Sequence, residues 1–358
     1  MGVGIKKIIA LILSAVLIFC MSGCQAAPDH ADGAMIYLYG EVHAQEDILA
    51  KELSLWEDCY AKGMRNLFVE LPYYTAKLLN IWMQAEDDSV LDEIYADWEG
   101  TLSHSACIKD FYKSIKSECP ETVFHGTDLG HQYDSSGTRY LRYLIENGLG
   151  DSEEYALAAE CREQGKKYYA FIKADGGSES SEASDYRENI MTENFLREYK
   201  TISGDVMGIY GSAHTNLEGK AWGGTVDTMG KQLFAKFGGR VQSVNLALKT
   251  EPISTEKITI DGKEYTTSYF GEEDISPFSD VYLSRKFWRI ENSFNDFKNC
   301  KRSNDTLPYS NYPVGVSEGD VFLIEYTLRD GSSERTYYRA EGKSFNGEPT
   351  TTGFIIGN

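Results

Sequence analysis

Residues 35–43 read Met35-Ile-Tyr-Leu-Tyr-Gly-Glu-Val-His43. The aromatic and β-branched residues at the start of this stretch are typical of a buried strand. Gly40 then allows a sharp turn, and residues 46–61 carry apolar side chains at the three- and four-residue spacing of an amphipathic helix. A strand that turns directly into a helix is the repeating unit of an α/β sheet, which we predict here.

Residues 34–250 repeat this alternation. Four further runs are predicted as strands of a mostly parallel central sheet: 66–70, 122–125, 206–210 and 241–246. Between them, flanking amphipathic helices are predicted over 73–83, 105–116, 153–174 and 187–199. Residues 175–184 are small, polar and acidic, and we predict a mobile surface loop there.

The pattern changes in residues 251–358. Asp261-Gly262 and Asp330-Gly331 stand between apolar runs, and such pairs are a strong signal of a β-hairpin. We therefore predict that a small antiparallel β region follows the α/β domain, with aromatic side chains used for packing.

The first 23 residues have the pattern of an export signal. Lys6 and Lys7 precede an apolar run over residues 8–19, which is too short to cross a bilayer comfortably. Met21-Ser-Gly-Cys24 resembles the lipobox at which bacterial lipoproteins are cleaved and acylated. We expect lipid such as palmitate on Cys24, a tether over residues 24–33, and a protein held on the outer face of a membrane. The alternatives are an uncleaved anchor and an ordinary secretory signal.

The charge of the chain excludes one class of partner. It has 35 basic and 55 acidic side chains, and cleavage after Gly23 would take the formal charge from -20 to -22 because it removes two lysines and no acid. So acidic a protein repels phosphate backbones, so we do not expect it to bind nucleic acid.

The cysteines beyond residue 24 show no CxxC spacing and therefore no zinc or redox motif. Because their number is odd, at least one is expected to stay unpaired, and their pairing is left open. They are Cys59, Cys107, Cys119, Cys161 and Cys300.

Polar side chains with chemical potential follow three of the predicted strands. Glu41 and His43 follow the first, Glu70 closes the second, and His214 follows Gly211 after a later one. In an open α/β sheet, ligands bind at the carboxyl ends of the strands, so we expect these residues to converge. A single histidine in such a place is more often an ordinary surface or core residue. Two copies of a strand followed by G-x-x-H, together with an acid at the end of an intervening strand, favour a site.

A further strand ends in Val123-Phe-His-Gly-Thr-Asp128. Asp128 is the better candidate for an additional carboxylate, because His125 equally fits a buried structural role.

Together these motifs resemble the superfamily that joins erythromycin esterases, ChaN-like haem-binding lipoproteins, and TraB and Tiki proteins. The shared pattern is G-E-x-H, a strand-end Glu, G-x-D and a later G-x-x-H, and here it spans residues 34–247. Arg187 resembles the start of the family's arginine-led helix. In the esterase branch the first histidine activates water, in the Tiki branch the histidines and an acid are associated with metal-dependent proteolysis, and ChaN-like members bind haem. The fold therefore does not determine the chemistry.

A hydrolase of ester or peptide bonds is the leading hypothesis. His43 would act as general base or metal ligand, with Glu41 and Glu70 as orienting or ligating carboxylates and His214 as a second ligand or acid. Arg187 would stabilise an anionic intermediate, or else form an ordinary surface salt bridge. If the reaction uses a divalent metal such as zinc, manganese or cobalt, the predicted ligands are His43, Glu70, His214 and Asp128.

Two alternatives stay open. The first is a surface protein that binds haem or another iron ligand, with a histidine or a tyrosine such as Tyr37, Tyr73 or Tyr74 near the iron. The second is a family member without activity that serves as an envelope interaction module through its C-terminal β region.

Overall fold

A computed structural model describes residues 33–276, 279–345 and 348–357. The predicted signal, Cys24 and most of the tether lie outside these ranges. Within them, no helix is long and apolar enough to cross a membrane.

The first sheet has five strands in the order β3-β2-β4-β1-β5, and all neighbours in it are parallel. This confirms the predicted α/β class with a mostly parallel sheet. The strands are β1 Ile36–Glu41, β2 Asn66–Pro72, β3 Val123–Asp128, β4 Val206–Gly211 and β5 Val241–Asn245.

Helices flank this sheet. They are α1 Glu46–Ala61, α2 Tyr73–Met83, α3 Ser89–Asp97, α4 Ala106–Glu118, α5 Ser136–Glu146, α6 Glu153–Ala174, α7 Ser181–Tyr199, the short α8 Ser212–Thr215 and α9 Met229–Phe237. One core, around Trp56 and Trp82, involves α1 to α6, and a second, around Phe68 and Phe195, involves α7 and α9. Because apolar side chains line both faces of the strands, the sheet is buried between helices.

Helix α7 begins earlier than predicted. Residues 181–184 belong to its first turn rather than to a loop, because the Ser180 hydroxyl caps the helix by accepting a hydrogen bond from the backbone N–H of Ala183. Ala183 is fully buried against Leu129 and Tyr168. The loop prediction therefore holds only for residues 175–180, and their mobility stays a prediction.

The second sheet has seven strands in the order β6-β7-β8-β10-β11-β12-β9, paired antiparallel. They are β6 Ser254–Ile260, β7 Lys263–Asp274, β8 Tyr282–Ile290, β9 Arg302–Pro308, β10 Val321–Leu328, β11 Ser333–Phe345 and β12 Glu348–Phe354, and a single turn of helix, α10 Phe294–Phe297, follows β8. Asp261 and Gly262, with φ of 48° and 75°, form the predicted turn between β6 and β7. Aromatic side chains such as Phe270, Phe287 and Phe322 fill the core of this sheet.

Candidate active site

The carboxyl ends of β1, β2 and β4 bring the predicted site residues together. Glu41 at the end of β1 lies in register with Gly211 at the end of β4. Gly40 permits this approach, because a Cβ at that position would lie 2.4 Å from Oγ1 of Thr215 and 2.9 Å from the Cα of Ser212. The turn after β1 therefore packs directly against α8, which carries His214.

Two histidines each have a carboxylate partner on one side of the ring. The Nδ1 atom of His43 is hydrogen-bonded to Glu41, and the Nδ1 atom of His214 lies 2.5 Å from Oε1 of Glu188. A carboxylate on Nδ1 fixes the orientation of an imidazole and leaves Nε2 for chemistry. The two pairs are alike in construction although they come from separate parts of the chain.

Both imidazoles face the same oxygen. Nε2 of His43 lies 3.9 Å, and Nε2 of His214 lies 3.6 Å, from Oε1 of Glu70. The other oxygen of Glu70 accepts a hydrogen bond of 2.6 Å from the backbone N–H of Gly211. Glu70 thus stands at the centre of the site, and a Cβ on Gly211 would approach all three side chains.

Arg187 joins Glu70 to Asp128. Its Nη2 atom donates to Oε1 of Glu70 at 2.6 Å and to Oδ2 of Asp128 at 2.7 Å, while its Nε donates to Oδ1 of Asp128 at 3.2 Å. Both carboxylates are nearly inaccessible to solvent. Because Nη2 and Nε are directed at buried carboxylates, this arrangement favours a role in holding Glu70 over the predicted contact with an anionic intermediate.

The charges in this group shift the pKa values of both histidines and of Glu70. The hydrogen bond with Glu41 raises the pKa of His43 to about 9, against the opposing effect of burial. Burial would lower the pKa of His214, but Glu188 and Glu70 outweigh it and raise that pKa. Burial would raise the pKa of Glu70, yet His214 and Arg187 hold it below its ordinary value. Clusters of shifted pKa values are common at catalytic sites.

Asp128 is held in the same way. Its burial is outweighed by the charges of Arg187 and His131, which keep the pKa of the carboxyl well below its usual range. Nε2 of His131 lies 3.1 Å from Oδ2 of Asp128, and its Nδ1 is 2.7 Å from the hydroxyl of Tyr169. His131 and Tyr169 thus continue the series of contacts that runs from Glu70 through Arg187 to Asp128.

Three residues of this arrangement were not predicted from the sequence: Glu188, His131 and Tyr169. Glu188 had a signal, since it follows the arginine of the family-like helix, and His131 lies three residues after Asp128. Tyr169 had none.

His125 has a structural role. It is buried, hydrogen-bonded to Glu198 at 3.0 Å and to Asn66 at 2.9 Å, and stacked on Phe68. These partners hold it apart from the cluster around Glu70.

The side chains predicted as metal ligands do not form a metal-binding group in the part of the chain that the structure describes. The guanidinium of Arg187 lies against both Glu70 and Asp128, and Asp128 forms ion pairs with Arg187 and His131 rather than with the other predicted ligands. An arginine therefore already supplies the positive charge between Glu70 and Asp128, which disfavours a divalent cation between these two carboxylates. Metal ligation stays a prediction from the sequence.

The tyrosines named for haem binding lie away from the two histidines or inside the core. Tyr73 and Tyr74 are buried. Tyr37 lines a separate cavity with residues that include Asn66 and Asp205, which precede or begin strands and so lie at the opposite end of the sheet from the site.

A cavity of about 400 Å³ lies between the two sheets. Ser212 and Ala213 of α8 line it from one side, and Tyr309 and Glu348 of the C-terminal region line it from the other. Glu348 accepts a hydrogen bond from Asn216, so the second sheet is joined to the loop that follows His214.

No family model and no curated protein matches the chain. Similar solved structures include a protein from Bacillus cereus, with a TM-score of 0.47 and 13% identity over 89% of this chain and 85% of that one. Another is a mutant of the erythromycin esterase EreC in its open conformation, with a TM-score of 0.46 and 12% identity over 72% and 82% of the two chains. A succinoglycan biosynthesis protein has a TM-score of 0.41 and 14% identity over 65% and 70%. At TM-scores below 0.5, these likenesses carry no conclusion about activity.

Proposed function

We propose that the protein is a hydrolase of ester bonds in which His43 activates water without a metal ion. The observation that supports this most is the pair of histidines whose Nε2 atoms face one oxygen of Glu70, each with its own carboxylate on Nδ1. Two oriented imidazoles at one position supply the acid and the base that acyl transfer to water requires.

His43 is the base in this proposal. Its side chain is 41% exposed, whereas that of His214 is 14% exposed, so an entering substrate meets His43 first. Glu41 keeps the proton of neutral His43 on Nδ1, and the free Nε2 takes a proton from water. The resulting hydroxide adds to the ester carbonyl carbon, and the alcohol leaves with the proton that His43 accepted.

His214 is the electrophilic partner. Because Glu188 and Glu70 raise its pKa, the protonated ring is favoured, and its Nε2–H donates to the oxyanion that forms on the ester. Glu70 holds the two rings on one centre, and Arg187 keeps Glu70 ionised. Removing a donor to an oxyanion typically costs about 10²- to 10³-fold in rate.

We further propose that this activity is located outside the cytoplasm, with lipid on Cys24 as the tether. The support is the signal-like sequence of residues 1–24. We propose attachment through lipid rather than through a basic surface, because the negative charge of the chain would repel an anionic membrane. The expected substrates are small molecules or envelope components met on that side.

The test uses p-nitrophenyl acetate and butyrate, with the matching anilides to detect amide hydrolysis. We expect His43→Asn to lower kcat/KM for the esters by about 10²- to 10⁴-fold, the usual worth of a general base. His104→Asn is the matched control, because His104 is exposed and its ring packs on Tyr95. Ester turnover that is the same in wild type and His43→Asn would end the proposal.

A further inference from the structure

The cavity between the two sheets has no part in the mechanism above. Its volume of about 400 Å³ falls within the range of about 300 to 1,000 Å³ that is usual for small-molecule sites. Three residues of α8 line it: Ser212, Ala213 and Thr215. The described residues around the cavity include neither His43 nor His214, so it is a separate space beside the candidate active site.

The loop between α8 and α9 brings a large aromatic side chain to this cavity. Trp222 lines the cavity and is 58% exposed, whereas tryptophan is highly buried on average. The two arms of the loop pair through a β-bridge between Lys220 and Asp227, and the backbone N–H of Ala221 donates to the carbonyl of Val226 at 2.9 Å. The tryptophan is therefore carried by an ordered turn.

The same loop is fastened to α7. Oδ1 of Asp185 accepts hydrogen bonds from the backbone N–H groups of Thr225 at 2.8 Å and Val226 at 2.9 Å, and its Oδ2 accepts one from the Thr225 hydroxyl at 2.9 Å. Gly224 lies so close to this carboxylate that a Cβ there would overlap Oδ1. Because the loop is held in this way, Trp222 is placed in advance, which lowers the entropic cost of binding a ligand.

The other walls of the cavity combine an aromatic ring with polar groups. Tyr309 and Glu348 line it from the C-terminal region, and Ser243 and Asn245 line it from β5. Asn216 also lines it and donates a hydrogen bond to the carboxylate of Glu348. Two aromatic residues, a carboxylate, two amides and a hydroxyl thus surround one space.

This combination of walls selects a class of ligand. A fatty acyl chain would leave the carboxylate and the amides facing apolar groups, which is costly. An anion would meet Glu348 and the negative charge of the whole chain, while the ammonium group of Lys220 already donates to the carbonyl of Thr225 at 2.8 Å. A neutral sugar suits both kinds of wall, because its C–H faces pack on aromatic rings and its hydroxyls bond to carboxylate and amide groups.

We propose that the cavity is a binding site for a neutral saccharide. Trp222 is the surface on which a sugar ring stacks, and Glu348 and Asn216 receive and donate hydrogen bonds to its hydroxyls. The site is formed jointly by the α/β domain and the C-terminal region, which gives the second sheet a part in recognition. Ester hydrolysis is not required for this binding.

The test begins with the full chain on an array of neutral mono- and oligosaccharides, and the sugar that binds best is then titrated by calorimetry. We expect Trp222→Ala to weaken its affinity by about tenfold, the usual loss when an aromatic anchor is truncated, and Trp222→Phe to restore most of it. Glu348→Gln should weaken it by about fivefold, because a charged acceptor is replaced by a neutral one. Tyr143→Ala is the matched control, since Tyr143 is an exposed aromatic residue outside the cavity.

Melting temperatures near that of wild type would show that the variants are folded. Binding to no neutral saccharide on the array, or equal affinity in wild type and folded Trp222→Ala, would overturn the proposal. Octanoate that displaces the bound sugar would also overturn it, because the cavity would then be an acyl-chain site.

The saccharide site and the hydrolase can be tested apart. His43→Asn should bind the sugar as tightly as wild type, because His43 is not among the residues that line the cavity. Sugar binding by a protein that hydrolyses no ester would retain the saccharide site and reject the hydrolase, whereas an active hydrolase that binds no sugar would do the reverse.

Discussion

Arg187→Met would remove the one guanidinium that lies between Glu70 and Asp128 while keeping an apolar side chain of similar length. Breaking one partner of a buried ion pair typically costs about 3 to 5 kcal/mol. The Gly211 and Leu129 backbone N–H groups would remain on the two carboxylates, so we expect a loss in this range rather than a larger one. The free energy of unfolding, measured with urea and tryptophan fluorescence at pH 7.5, gives the loss directly.

The loss should depend on pH in a definite direction. Charged neighbours hold the pKa of both Glu70 and Asp128 below its ordinary value, so their contribution to stability is present above about pH 4 and is lost as the pH falls through their lowered pKa values. In Arg187→Met these carboxylates can take up protons at higher pH, which relieves the cost of burying them without a partner. The difference in the free energy of unfolding between the variant and wild type should therefore be smaller at pH 4.5 than at pH 7.5.

Arg139→Met is the control, because Arg139 is partly exposed where it pairs with Asp97 and Glu93. It should cost about 1 kcal/mol or less. A loss of the same size at both pH values would contradict the electrostatic reasoning and would indicate lost packing instead.

Three further predictions concern the reaction. The rate of p-nitrophenyl ester hydrolysis should rise between pH 7 and about pH 9, because His43 must lose a proton to act as base and Glu41 raises its pKa to about 9. A rate that falls over this range would assign His43 as an acid instead. Gly211→Ala would place a Cβ 3.3 Å from Glu70, 3.6 Å from His214 and 3.7 Å from His43. Because this displaces the reacting groups, kcat/KM should fall by about tenfold or more. The melting temperature should stay near that of wild type. Prolonged treatment with EDTA should leave ester turnover unchanged, since Arg187 holds the carboxylates that a metal would need. A stoichiometric metal found by elemental analysis, together with turnover that is lost in EDTA, would contradict the proposed metal-free reaction.

The strand ends were readable from the sequence because each combines two local signals. Apolar runs such as residues 36–39 predict strands, and Gly40 or Gly211 marks the turn that follows. The open-sheet rule then places Glu41, Glu70 and His214 at one edge without knowledge of the strand order. The α/β class and the Asp261-Gly262 hairpin were predictable for the same local reason.

The partners of the histidines were not readable in this way. Glu188 meets His214 across 26 positions of sequence, and Arg187 reaches Glu70 across 117. Such contacts depend on how α7 is rotated against the sheet, which its own polar residues do not reveal. The short helices α3 and α5 were not predicted, and α5 begins with Ser136-Gly137, a pair that is typical of turns.

The central claim is that His43 and His214 serve one reaction at one centre. The most direct test measures kcat/KM for p-nitrophenyl butyrate in His43→Asn, His214→Asn and the double variant. Residues that act as a unit have non-additive effects, so the double variant should be no slower than the slower single variant. Losses that multiply in the double variant, or full activity in either single variant, would show that the two histidines do not share a reaction.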